Sequence, residues 1–328
     1  MIDRRIKFRH LTCFLEVARL RSVVAAADSL AITQPAVSKT LRELEEVLDA
    51  RLFDRGRRGL TLTPFGRLFL NHAGTAVTAL GDGVDAIARA RSGGGTELLR
   101  IGALPTVAAQ VMPAAVRRFA TGGARATVRV VDGPNTLLLA QLRIGELDLV
   151  VGRLAEPEAM TGLSFEHLYS ERVTFAVRPG HPLLDRPVPD PRAVAGYPMI
   201  VPPPGSIIRP VVDRFLIAAG IRRIDTAIET VSGTFGRSYV RQSDAVWIIS
   251  RGVVARDIAE GQLRELRLDT GDTSGPVGLT TRADQPPTPV LRLFIDAVRD
   301  VAADLRAADA EQELVHLLNT PAIAAGSA

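Results

Sequence analysis

Residues 22–48 read SVVAAADSLAITQPAVSKTLRELEEVL, and the spacing of their apolar and polar positions decides how this end of the chain folds. Ser22 stands where a helix cap belongs, and Val23, Ala26, Ala27 and Leu30 form the apolar stripe of a short helix behind it. After the turn Ala31-Ile32, Thr33 caps another helix, with Pro35 in its first turn, where a missing N–H costs nothing. Along that helix Val37, Leu41, Leu44 and Leu48 make a buried stripe, while Gln34, Ser38, Lys39 and Arg42 project from a different side. Gln can bond a base edge through two hydrogen bonds, Ser reaches phosphates or bases, and Lys and Arg neutralise phosphates or read guanine. Two short helices, a tight turn and a polar, basic face are the pattern of a helix-turn-helix with its recognition helix. A plain solvated face carries the same residue types, so spacing alone leaves both readings open.

The flanking segments weigh on the first of these. Upstream, Leu11, Phe14, Leu15 and Ala18 predict an amphipathic helix over 8–20, on which Cys13 reads as a small structural thiol. Downstream, RLFDRGRRGLTLT at 51–63 predicts two short strands around the turn Gly56-Arg57-Arg58-Gly59. A hairpin carrying Arg55, Arg57 and Arg58 is a wing, suited to the phosphate backbone or the minor groove. Thr63-Pro64 restarts a helix along which Leu70, Ala73, Val77, Leu80, Val84 and Ile87 recur at steps of three and four. So long a seam wants a partner helix, and Ser92-Gly93-Gly94-Gly95 ends it in a hinge. The expected organisation is a winged helix-turn-helix over 1–63, a long linker and dimerisation helix over 64–92, and a ligand-binding domain over 93–328.

From residue 97 the pattern becomes α/β. Strands are expected at 98–103, 127–131 and 147–152, with helices near 106–119 and 135–144, and a mostly parallel sheet. A second series follows, with strands near 173–177, 199–201, 226–230 and 246–250 and helices near 206–219, 233–241 and 251–259. A strand at 276–280 and a helix from 289 to about 305 close the chain. This predicts two lobes, one over about 97–165 and 270–305, the other over about 166–269, with a cleft between them. Ligands in such sheets bind beyond the carboxyl ends of strands. That rule selects Thr106 after Ala103-Leu104-Pro105, Ser206 after Pro202-Pro203-Pro204-Gly205, and Arg153, whose planar fork suits a carboxylate. Caps and loop arginines are common without any ligand, so the selection rests on their convergence.

Composition narrows the function classes. With 328 residues, 46% hydrophobic and 23% charged, the chain is long enough for two or three domains. Its net charge of +4 is uneven: residues 1–92 carry 15 Lys+Arg against 10 Asp+Glu, a net +5, and the remainder a net −1. The basic end therefore expects a polyanion. No secretory h-region and no apolar run of about 18 residues occurs, so a cytoplasmic chain without a membrane partner is expected. One cysteine excludes an intramolecular disulfide and a Cys-based zinc cluster. The five histidines, at 10, 72, 167, 181 and 316, are scattered, and no nucleotide, nucleophile-elbow or zinc-protease motif is present. Neither an enzyme, a metal nor a cofactor is expected.

The elements FLEVARLRSVVAAADSLAITQPAVSKTLRELEEVL, RLFDR and LTPFG resemble the N-terminal domain of LysR-type transcriptional regulators. The resemblance implies that Ser22, Thr33, Gln34, Pro35, Ser38 and Arg42 lie at or beside double-stranded DNA, with Arg55 and Arg58 in the wing. It also implies a homodimer through 64–91, commonly assembled into a homotetramer that meets RNA polymerase at a promoter. GELDLVVGR extends the resemblance to the two-lobed, periplasmic-binding-protein-like effector domain of the family, with Asp148 a structural turn residue. In members that bind muconate-type acids, the equivalents of Thr106, Val107, Asn135, Arg153 and Pro202 line the inducer site. IKFRHL, VGRLAEPEAMTGLSFEHLYSE and SDAVWIISRGVV resemble most the branch that activates protocatechuate-catabolism genes. This implies a small carboxylate inducer such as a carboxymuconate or its lactone. A sugar-responsive branch, the galactose-binding-protein regulators, shares much of the pattern.

Overall fold

Phe14, wholly buried near the middle of α1 (Phe8–Leu20), shows what the N-terminal residues fold around. In the computed structural model, which describes residues 3–56, 59–91, 96–221, 224 and 226–319, its ring packs against Phe53 and Phe69 with centroids 5.3 and 5.2 Å apart. Two compact units emerge, one made of residues up to 97 with 139–148, the other of 98–138 and 149 onward.

In the first unit α1 is followed by α2 (Val23–Ser29) and α3 (Gln34–Leu48). The Ser22 hydroxyl accepts the Ala25 N–H at 3.2 Å and the Thr33 hydroxyl that of Ala36 at 3.4 Å, so both caps act as the sequence predicts. Ala26 and Ala27 are buried and small enough to let α2 lie close to its neighbours. The turn between them puts Ala31 at φ +54°, a left-handed conformation that costs an L-residue roughly 1 kcal/mol. Cys13 is buried with its thiol directed at the Val37 carbonyl, and burial pushes its pKa up to about 11, which leaves an inert structural thiol.

The wing strands β1 (Phe53–Gly56) and β2 (Gly59–Leu62) pair antiparallel, Phe53 opposite Leu62 and Gly56 opposite Gly59. The Glu45 carboxylate of α3 accepts the N–H groups of Leu52 and Phe53 at 2.7 and 3.3 Å, anchoring the first strand to α3. Thr63 accepts the Gly66 N–H at 3.0 Å and donates to the Arg51 carbonyl at 2.6 Å, which starts α4 (Pro64–Arg91). Gly66 must be glycine, since a Cβ there would lie 2.1 Å from the Leu52 carbonyl oxygen. Farther along α4, the Thr78 hydroxyl donates to the Ile144 carbonyl at 2.8 Å.

The remaining elements are β3 (Glu97–Ala103), α5 (Pro105–Gln110), α6 (Met112–Thr121), β4 (Ala126–Asp132), α7 (Asn135–Arg143), β5 (Leu149–Arg153), β6 (Leu163–Glu171), β7 (Val173–Val177), β8 (Met199–Val201), α8 (Arg209–Ala218), β9 (Ala227–Glu229), α9 (Gly233–Arg241), β10 (Val246–Ser250), α10 (Arg251–Ala259), β11 (Arg264–Glu265), β12 (Gly275–Arg282) and α11 (Pro289–Asn319). They build two five-stranded sheets, ordered β4-β3-β5-β12-β6 and β11-β7-β10-β8-β9. The last strand and helix return to the first sheet as expected: β12 pairs with β5 and β6, and α11 packs on α6 with Phe294 edge-on to Phe119 at 5.4 Å.

The sheets are mixed rather than mostly parallel. β3 runs parallel to β5, and β8 to both β10 and β9, whereas β12 is antiparallel to β5 and β6, and β7 to β10 and β11. Part of the departure is β6, an unpredicted strand that pairs antiparallel with β12 and is joined through the single residue Arg172 to β7 in the other sheet. The chain thus passes from one sheet to the other at Arg172, and returns between β11 and β12. The expected helix at 106–119 is two helices, α5 and α6, parted at Val111 ahead of Pro113.

Candidate DNA interface and ligand cavity

Thr33, Gln34, Pro35, Lys39 and Arg42 are exposed, with Ser22 and Ser38 half-buried, along the first turns of α3 and the start of α2. Gln34 donates weakly to the Ser38 hydroxyl at 3.4 Å, which holds two polar groups together one turn apart. Lys39 stands 3.9 Å from Glu43, which also binds Arg9 at 3.1 Å. His10, buried beneath them, accepts the Lys7 N–H at Nδ1, so its Nε2 carries the hydrogen directed at Glu43, 3.3 Å away. The Arg9 and His10 hydrogen bonds hold the Glu43 carboxyl below the usual range and fix α3 against α1. Arg55 pairs with Leu60 in the wing, while Arg57 and Arg58 lie outside the described residues.

The second arrangement lies between the two sheets. Thr106, Arg153 and Ser206 line one small, half-open cavity together with Ser250, and its walls are apolar, among them Leu104, Ile208, Ile249 and Val253. Val107, Asn135 and Pro202 do not line it; Val107 is wholly buried in the core and Asn135 opens α7. The polar residues do not stand as the sequence arranged them. The Thr106 hydroxyl donates to Glu171 at 2.5 Å, and the other oxygen of that carboxylate accepts the Gly252 N–H at the start of α10, also at 2.5 Å.

Arg153 is 6% exposed, and each of its terminal nitrogens donates to main chain, one to the Thr273 carbonyl at 3.3 Å, the other to the carbonyl of Glu171. It therefore bonds both segments that pass between the sheets. Thr273 reinforces the junction by accepting the Val173 N–H at 2.9 Å and donating to the Thr270 carbonyl at 2.7 Å. Its Nε is buried and has no hydrogen-bond partner among the described residues. Two of the five guanidinium N–H donors are thus held by main-chain carbonyls of the segments that pass between the sheets.

Sequence reading passed over Glu171, Ser250, Gly252 and Thr273. Ser250 was within its reach, since it follows a strand and opens a helix just as Thr106 does. Glu171 gives no such signal, because an acidic residue at a strand end reads as solvated until the fold encloses it. Among the described residues no helix is long and apolar enough to cross a membrane, and no cluster of possible metal ligands occurs.

Residues 8–67 match the bacterial regulatory helix-turn-helix of the lysR family, and residues 92–303 match the LysR substrate binding domain. The chain belongs to the LysR family of transcriptional regulators. It is 51% identical over 305 residues to the HTH-type transcriptional regulator PcaQ of Agrobacterium fabrum, covering 93% of this chain and 98% of that one. Two solved LysR-type structures share the fold. A full-length OxyR variant from Pseudomonas aeruginosa superposes with a TM-score of 0.58 at 19% identity, over 89% of this chain and 97% of that chain. Full-length CbnR complexed with its target DNA gives 0.53 at 22% identity, over 90% and 100%. This LysR-type chain is accordingly a DNA-binding transcription regulator whose relatives are regulators and not enzymes.

Proposed function

We propose that this LysR-type regulator is an inducer-responsive activator of protocatechuate-breakdown genes, acting in the cytoplasm. It binds promoter DNA through Gln34, Ser38, Lys39 and Arg42 with Ser22, Thr33 and Pro35 beside them, and through the wing residues Arg55, Arg57 and Arg58. The inducer is a small organic acid of the carboxymuconate or lactone type. The observation that carries the ligand class is Arg153 itself, a buried guanidinium among the lining of an apolar cavity, whose Nε has no acceptor among the described residues, since a buried cationic donor favours an anionic partner. Arg153 bonds both inter-sheet segments, so an acid bound at Arg153 acts where the lobes hinge, and it shifts the equilibrium by its difference in affinity for the two lobe arrangements.

A homodimer through α4 supports the arrangement on DNA. Leu80, Val84 and Ile87 of the predicted seam are 58%, 66% and 64% exposed in the single chain, an apolar edge that a second α4 covers. Pairing of such dimers into a homotetramer, and contact with RNA polymerase, complete the proposal. The cysteine content supports a ligand signal over a thiol one, because Cys13 is the single cysteine and is inert.

The test is calorimetry on the full chain with 3-carboxy-cis,cis-muconate and its lactone, paired with transcription in vitro from the promoter of adjacent catabolic genes. Saturable binding that raises transcription is expected. Tight binding of galactose or arabinose without acid binding places the chain in the sugar-responsive branch.

A further inference from the structure

Glu43 joins α1 to the polar face of α3. Seen down α3, Lys39 stands at the edge of the face made by Gln34, Ser38 and Arg42, and Glu43 follows one step farther round. One oxygen of its carboxylate meets Arg9 at 3.1 Å and His10 at 3.3 Å, both from α1, and the other stands 3.9 Å from Lys39. His10 is buried and its second ring nitrogen is taken by the Lys7 N–H, so the carboxylate is held in place. Two cations from two helices, Arg9 and Lys39, therefore flank a single fixed carboxylate.

Stability does not account for an arginine at position 9. Its side chain is 59% exposed, and an ion pair so open to solvent contributes little to folding. It also stands in the first turn of α1, where no acidic residue offsets it and the helix N-terminus disfavours a cation. Arg4 and Lys7 nearby are exposed as well, which makes this whole end of α1 basic. An anion from outside the chain relieves that charge.

We propose that Arg9 is a DNA-backbone contact: its guanidinium, held beside Lys39 by Glu43, binds a phosphate at the edge of the major groove that α3 enters. The groove is about 12 Å wide, so side chains at the margin of a helix seated in it meet the sugar–phosphate backbone instead of base edges. Glu43 orders the long arginine side chain before DNA arrives, and the planar guanidinium has further N–H donors for phosphate oxygens. The proposal rests on the assignment of α3 to the DNA interface and extends that interface to α1. A phosphate contact carries no base information, so Arg9 adds affinity for DNA of any sequence.

The experiment is fluorescence anisotropy with the full chain and random-sequence duplex DNA across a salt series. Arg9→Ala should flatten the slope of log K against log salt by about 0.9, the value for one phosphate, and Arg9→Lys should keep the slope. Arg9→Ala also uncovers Glu43, whose charge repels DNA by itself, so the deciding variant combines Arg9→Ala with Glu43→Gln. The glutamine still accepts from His10, and thermal melting should be unchanged. In this double variant the slope should remain flatter by about 0.9. A double variant with the slope and affinity of the unaltered protein overturns the contact, because Arg9 then does no more than neutralise Glu43. Lys39→Ala and Arg42→Ala are the reference on α3: if they too leave the slope untouched, it is the assignment of α3 to DNA that falls.

Discussion

Two glycines on α4 should respond to the same substitution with opposite signs. At Gly66 an added methyl lies 2.1 Å from the Leu52 carbonyl oxygen and 3.0 Å from its carbon, well inside the approach that real Cβ atoms make. The obstacle is backbone, and that carbonyl is also the acceptor of the Thr63 N–H at 3.0 Å, so relief requires a shift of roughly 1 Å that strains this bond. Overpacking of this kind costs about 2 kcal/mol and a weakened hydrogen bond about 1 kcal/mol more, against a helix-propensity gain of about 1 kcal/mol. Gly66→Ala should therefore lose about 2 kcal/mol. At Gly83 nothing lies within 4 Å, so Gly83→Ala should gain close to the full propensity difference of about 1 kcal/mol per chain. Urea unfolding of the full chain, with amide exchange in α1 to α4 to assign the unit that opens, measures both. The reasoning fails if Gly66→Ala is as stable as the unaltered protein. A loss at Gly83 would show that a second chain covers that position in solution.

Three further outcomes follow from the interface and the hinge. Gln34→Ala and Arg42→Ala should narrow the difference between operator and random DNA in titrations across salt, and each phosphate no longer neutralised should flatten the slope of log K by about 0.9; unchanged operator affinity for both variants removes α3 from the interface. Val77→Glu with Val84→Glu should abolish operator binding and halve the sedimenting mass while the ligand domain keeps its circular dichroism, and a double variant that sediments normally contradicts pairing through α4. Arg153→Ala leaves two buried carbonyls and the buried Glu171 without their cation, so calorimetric unfolding of the second unit should show a loss of about 3 kcal/mol or more, and an unaltered transition would mean that Arg153 is not the hinge tie.

The helices and caps of the first unit were legible because their causes are local. Ser22, Thr33 and Pro35 act on N–H groups within three residues of themselves, and a period of 3.6 needs no information from elsewhere. The strand ends at 103 and 250 were legible for a similar reason, since apolar runs stop where the chain leaves a sheet, and the strand expected to end at 152 runs one residue farther, to Arg153. The strand β6 escaped notice: its residues alternate through charged and polar positions, and only β12, more than a hundred residues later, makes it a strand.

The three N-terminal helices, the hairpin behind them, the long helix α4, the alternation of two α/β series and the family can all be read from the chain's own periodicity and motifs. The partners of Thr106 and Arg153, by contrast, come from the packing of distant segments. Thr106, Arg153 and Ser206 were selected as free ligand groups because each follows a strand. The fold then sets Glu171 on Thr106 and aims both ends of the Arg153 guanidinium at main-chain carbonyls 18 and 120 residues away in sequence. A donor's position can be read from its neighbours in the chain, but whether it remains free depends on which acceptors the packed lobes bury beside it, and an enclosed acceptor is a property of the whole fold.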